Sequence, residues 1–193
     1  MIKNILLIIG LFISSAVSAQ FTVTIQWHNI KPGNNGDTIY YVPGKKLAWR
    51  DFKGRPVAAS PAAAITESGF GYRMTMNSRN KKTNVVITVF CYFTKNNSWV
   101  KKGMDSDYAL KHEQHHFDIT YINAWMFMQK LKEAPWNAGN YNYLVEKIHD
   151  QCFDALSKMQ DDYDGETSNG RINHMQYTWN RKIDRQLAEL VTD

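Results

Sequence analysis

The chain has 193 residues, a formal net charge of +5 and 44% hydrophobic residues. That is enough for one domain with a real core. Its basic residues are scattered, with Lys45-Lys46, Lys81-Lys82 and Lys101-Lys102 as the lysine doublets, so a nucleic-acid footprint is not expected.

Taken in chain order, the first segment is MIKNILLIIGLFISSAVSAQ. Lys3 precedes an apolar run from Ile5 to Ile13, and Val17-Ser18-Ala19 fits a small-x-small cleavage site. The run is too short to span a bilayer comfortably. Residues 1–19 are therefore expected to be a signal peptide, and residues 20–193 an exported single domain, periplasmic or secreted. No cysteine follows the cut, which argues against a lipid anchor. Cys91 and Cys152 are the two cysteines, and an even count in an oxidising compartment suggests a bridge. It would close a loop of about 60 residues and contribute ~4 kcal/mol. The alternative is two buried thiols on apolar faces.

The first half of the mature chain reads as strands. FTVTIQW (21–27) alternates apolar and polar residues, KPGNNGD (31–37) is a turn cluster, and TIYYV (38–42) is a second short strand. In AAAITESGFGYRMTM (62–76), Gly69 and Gly71 suggest a bulge or a break between two strands. NVVITVFCYF (84–93) is apolar on both faces and is expected to be central.

The second half reads as helices. Residues from about 105 to 133 lack proline and glycine, with Asp105, Ser106 and Asp107 as candidate N-caps. Leu110, Phe117, Ala124, Met128 and Leu131 form its apolar stripe. A second helix is marked by Leu144, Ile148, Cys152, Leu156 and Met159, followed by a polar connector, DDYDGETSNG (161–170). A last helix carries Ile172, Gln176, Trp179, Ile183, Leu187 and Leu190 on one face, with Asn169 extending that inward stripe. Strands first and helices after predict an α+β fold, the N-terminal sheet mostly antiparallel.

Within the long helix, LKHEQHHFDI (110–119) places His112 and His116 one turn apart on one face. Both imidazoles can then reach one ion, zinc being the expected one, at bond lengths of about 2.0–2.1 Å. Glu113 is rotated by about 100° from His112, which suits a general base beside a zinc-activated water. His115 falls off the ligand face and reads as polar surface. His28 and His149 read as structural. Asp118 is expected to orient a ligand or cap a neighbour.

LAWRDFKGRP (47–56), CYFTKNNSWVKK (91–102), HEQHHFDI (112–119) and YDGETSNG (163–170) followed by Gln176 and Trp179 resemble the DUF922 family of exported bacterial proteins described as zinc-dependent proteases. The resemblance implies a zincin-like metallopeptidase fold with the histidine pair on the active-site helix. The chain departs from the family pattern at three places. Where the family has a histidine that would serve as third ligand, the residue is Asn169; where it has glutamate and arginine after the motif, Tyr121 and Trp125 stand. The remaining third-ligand candidates are Asn169 itself and Glu166, with His174 ranked below them. Trp49, Phe52 and Trp99 read as packing residues. Tyr163 reads as a half-buried tyrosine ending the second helix, with an oxyanion-stabilising role as its alternative.

Three readings follow. The first is an exported zinc hydrolase acting on peptide or protein, with His112 and His116 on the ion, a residue in 164–169 completing the site and Glu113 as base, working as a monomer. The second is a degenerate zincin serving as a non-catalytic binding or envelope-assembly module, in which Asn169, Tyr121 and Trp125 replace the polar wall of an active site. The third is a structural domain with incidental histidines.

Overall fold

A computed structural model describes residues 20–28 and 36–190. The signal-peptide segment at 1–19 and most of the turn cluster at 31–37 lie outside the described residues. Strands β1 (Gln20–Trp27), β2 (Thr38–Tyr40), β3 (Ala64–Ile65), β4 (Ser68–Arg79), β5 (Lys82–Thr94) and β6 (Trp99–Val100) precede helices α1 (Asp107–Glu133), α2 (Tyr141–Thr167) and α3 (Asn173–Leu190). The α+β order expected from the sequence is present. Among the described residues no helix is long and apolar enough to cross a membrane.

β5 organises the sheet. β4 pairs antiparallel with nearly all of it, from Ser68 opposite Phe93 to Arg79 opposite Lys82. On the other edge β1 runs parallel over 82–89 and β2 antiparallel over 92–94. β5 is therefore flanked along its whole length. Val85, Ile87, Val89, Cys91 and Phe93 on its inner face are almost fully buried, where alternation along a pleated strand puts them. β3 and β6 form a separate antiparallel ribbon beyond the end of β5. The strand break falls at Thr66–Glu67 rather than at the glycines. Gly69 and Gly71 continue β4 opposite Tyr92 and Phe90. A Cβ on Gly69 would stand 2.8 Å from the Tyr92 hydroxyl, so the cross-strand aromatic excludes a side chain there.

α1 lies between the sheet and the other two helices, contacting β4 and β5 on one side and α2 and α3 on the other. Ser106 caps its N-terminus by accepting from the Ala109 N–H at 3.1 Å. Phe117, Ala124, Met128 and Leu131 are buried as expected, but so are Glu113, Gln114, His115 and Asp118. A central helix has no solvent face over these turns, so its polar groups must find partners. Asp118 accepts from Tyr41 Oη at 2.8 Å, Gln114 Nε2 at 2.9 Å and His115 Nδ1 at 3.1 Å, with Lys46 Nζ at 3.5 Å. Gln114 Oε1 in turn accepts from the Leu47 N–H at 2.7 Å. His115 is thus an internal group, not polar surface, and Asp118 fastens the 41–47 segment to α1.

Tyr121 stacks on Tyr41 with ring centroids 4.0 Å apart and meets Trp27 edge-on. α2 continues to Thr167, so most of the expected connector is helical. Tyr163 and Thr167 extend the buried stripe of Val145, Ile148, Cys152 and Leu156 despite the acidic residues between them. Cys91 and Cys152 are both buried free thiols. One lies on the sheet's inner face and the other on α2, with α1 packed against both elements, so the expected bridge does not form.

Two predictions follow from this packing. Alkylation of denatured, unreduced protein should label both Cys91 and Cys152; two unlabelled cysteines would mean that they are bridged. Burial raises the Asp118 carboxyl, but the His115 hydrogen bond, Lys46 and Tyr41 outweigh it and hold the group below the ordinary carboxylate value. A lowered folded-state value stabilises the fold above the unfolded carboxyl's value of about 3.9. That stabilisation should fade as pH drops below it toward the folded-state value. Asp118→Asn should cost about 1–3 kcal/mol in urea unfolding at pH 7 and flatten the acid limb of stability against pH.

Candidate metal centre

His112 and His116 stand on consecutive turns of α1, and Asp164 projects toward them from the last turns of α2. The His112 and His116 Nε2 atoms are 3.2 Å apart, and Asp164 Oδ1 lies 3.2 Å from the first and 3.1 Å from the second. These three residues form a group that can hold a metal ion, their ligand atoms all within 4.8 Å of one another. Donors around a tetrahedral ion with bonds of about 2.0–2.2 Å stand about 3.3–3.6 Å apart, so the triangle fits within a few tenths of an ångström. Asp164 Oδ1 is buried, and its polar neighbours are the two imidazole nitrogens at 3.2 and 3.1 Å. A buried carboxylate oxygen aimed at two nitrogens is what a shared cation would satisfy.

The surrounding shell fixes which ring nitrogen faces inward. Gln160 Nε2 donates to the His116 backbone oxygen at 2.9 Å, an atom that only accepts. The other end of that amide, Oε1, therefore faces His116 Nδ1 and takes its proton. A similar chain orients His112. Tyr163 Oη donates to the His112 backbone oxygen at 3.3 Å and accepts from Gln176 Nε2 at 2.6 Å, which turns Gln176 Oε1 toward His112 Nδ1 at 2.8 Å. Both Nδ1 atoms are donors, so both Nε2 atoms face the space beside Asp164, where a metal ion would take the place of the proton on His116. Outer-shell hydrogen bonds of this kind hold ligating imidazoles in one tautomer and orientation.

The electrostatics favour positive charge here. Burial alone pushes the His116 imidazole down, but Asp164 and Glu113 more than offset it, and the group settles at about 9. Burial raises the Asp164 carboxyl, yet the two imidazoles bring it well below the usual carboxylate range.

Tyr163 is fully buried; its ring stacks on His112 with centroids 4.7 Å apart, and burial holds its phenol well above its ordinary value. It braces the site from behind, which corrects the expectation of a half-buried residue and leaves its hydroxyl committed to the shell. Ser168, Asn169 and Gly170 all have positive φ. This tight turn brings Gly170 under His112, where a Cβ would lie 3.2 Å from Nδ1. The Gly170 oxygen is held by the Tyr108 hydroxyl at 2.6 Å.

Glu113 and the histidines open onto a cleft of about 880 Å³ between the 61–68 segment and the helices. Thr66 Oγ1 lies 2.7 Å from Glu113 Oε2 and can donate to it. Of the expected third ligands, neither Glu166 nor Asn169 takes the place that Asp164 holds. Glu166 lies outside the cluster and accepts from the Trp179 indole at 2.8 Å. Asn169 lines the cleft, but from the turn before α3 and not from that helix's inward stripe. Tyr121 and Trp125 are not among the cleft's lining residues, because Tyr121 packs toward Tyr41 and Trp27. Asp164 is the first residue of the 164–169 span expected to complete the site, although Asn169 and Glu166 are the residues singled out within it; Gln160 and Thr66 went unread in the sequence. The one signal was the four-residue spacing of Gln160 and Asp164, which shares a face only if the acidic segment is helical. No family model, curated protein or solved structure matches the chain.

Removing the outer hydrogen bonds should weaken the centre in graded fashion. In competition titrations with a zinc chelator, Gln160→Ala and Gln176→Ala should each lower affinity by about tenfold to a hundredfold, Asp164→Ala by more, and Glu166→Gln by nothing measurable. Affinity insensitive to Asp164→Ala would remove it from the ligand set.

Proposed function

We propose that the protein is a zinc-dependent hydrolase of peptide bonds, with His112, His116 and Asp164 as metal ligands and Glu113 as general base. The observation that carries this reading is the placement of a buried carboxylate, Glu113, next to three convergent ligand atoms in one open cleft. Two imidazole nitrogens and one carboxylate are a donor set that suits zinc, and three protein ligands leave a position for substrate or water. When bound, zinc supplies Lewis acidity and lowers the pKa of water to about 7.

The chain's own residues do the rest. Glu113 is carried round from His112 by one helical step, so its carboxylate stands beside the ligand triangle and not within it. Thr66 donates to Oε2, which leaves Oε1 to accept a proton from a water in the cleft. Once protonated, Glu113 can pass the proton to the leaving amine, the usual exchange of base and acid roles in hydrolysis. The 61–68 segment forms the opposite wall, where an extended substrate can lie. The implied DUF922 membership, the zincin-like architecture, export and action as a monomer belong to the same proposal. The first two are supported by the HEQHHFDI and LAWRDFKGRP segments, export by the signal-like N-terminus; action as a monomer follows from the sequence reading alone.

Glu113→Gln should retain about one zinc per chain and lose activity on a mixed peptide substrate by about a hundredfold to ten-thousandfold. Zinc retained with activity unchanged would sink the base assignment. A wild-type protein holding zinc and cleaving nothing would favour a binding module.

A further inference from the structure

The cleft carries a second feature that the hydrolytic reading does not use. Its carboxylates are Glu67, Glu113, Asp161 and Asp164, and its two cations are Lys101 and Arg171. Neither cation forms an ion pair among the described residues. Lys101 Nζ donates to the Ser60 backbone oxygen, and Arg171 Nη2 reaches the Pro61 backbone oxygen at 3.5 Å. Two positive charges from distant parts of the chain thus converge on consecutive carbonyls at one rim. A carbonyl orients a cation without neutralising it, so both charges remain available to an anion.

The position of Arg171 relates this pair to the chemistry. It directly follows Gly170, whose Cα packs under His112. The guanidinium is therefore tethered one residue from the ligand pair, and the turn at 168–170 fixes where its arm begins. Arg171, Lys101 and the ligand triangle line the same cleft, so an anion held at this rim and a bond placed at the metal centre can belong to one substrate.

We infer that Lys101 and Arg171 form a carboxylate-binding subsite, and that the preferred substrate carries a carboxylate near the bond to be cleaved. This rests on the hydrolase reading for the word substrate, and on the charge arrangement alone for the binding. A guanidinium fork beside an ammonium matches the two oxygens of a carboxylate. In a peptide that carboxylate comes from the free C-terminus or from an Asp or Glu side chain.

The test uses zinc-loaded Glu113→Gln protein, so that binding is read without turnover. Fluorescence anisotropy compares three probes: fluorescein-labelled Ala-Ala-Phe-Ala with a free C-terminus, the same peptide as its amide, and Ala-Ala-Phe-Asp amide. The free acid should bind about tenfold to a hundredfold more tightly than its amide, the range expected for charge-assisted hydrogen bonds. Arg171→Gln, at an exposed position, should remove most of that preference and leave the amide's affinity unchanged. Lys101→Gln, checked for folding by circular dichroism, should do the same. If the Asp-amide binds like the free acid, the subsite takes side-chain carboxylates as well; if it binds like the plain amide, the subsite reads the terminus. Equal binding of free acid and amide, or a preference that survives both substitutions together, overturns the inference, as does no binding of the free acid at millimolar concentration. Charge-dependent binding by a protein whose wild type hydrolyses none of the peptides would defeat the hydrolase reading and leave the subsite standing.

Discussion

Two imidazole nitrogens and a carboxylate oxygen directed into one space of about three ångströms are held together only by a cation among them, a proton on His116 or a metal ion in its place. The rest of the structure near the site exists to keep those three atoms there. Gln160 and Gln176 hold the Nδ1 protons outward, Tyr163 supports Gln176 and stacks on His112, and the left-handed turn at 168–170 closes beneath the same ring. None of these partners touches the ion's position, yet each removes a way for the imidazoles to turn aside. The arrangement is costly without positive charge, and the upward pull on His116 expresses that cost.

The position of α1 makes this possible. A helix between a sheet and two further helices can bury polar side chains on every side, provided each meets a partner. On the sheet side the polar residues form the Asp118 network, which secures the 41–47 segment and is structural. On the helix side they form the group that can hold a metal ion. His115 and His116 are adjacent in sequence and separated by function because one helical step of about 100° turns them toward different layers.

The sequence made part of this legible for physical reasons. His112, Glu113 and His116 could be read because an i, i+4 pair on an unbroken helix must share a face. β5 could be read as central because both its faces are apolar. The 164–169 span could be read as completing the site, but Asp164 could not be singled out within it, because it stands among Asp161, Asp162 and Glu166, and a run of acids resembles a solvated connector. Only Tyr163 and Thr167 continue the buried stripe there, and neither is distinctive alone. Gly69 and Gly71 misled for a related reason: a glycine that makes room for a cross-strand aromatic looks the same in sequence as one that ends a strand. Tyr121 was read against a family pattern as part of the cleft wall, whereas its neighbours Tyr41 and Trp27, distant in sequence, draw it to the sheet.

The most direct test of the centre is X-ray absorption at the zinc edge of protein reconstituted with one equivalent of the metal. The account predicts a first shell of nitrogen and oxygen only, at about 2.0–2.2 Å, with the outer-shell scattering of two imidazoles, reduced to nitrogen from those two rings and solvent oxygen in Asp164→Ala. A sulfur shell at about 2.3 Å, or a spectrum with a single imidazole, would contradict it.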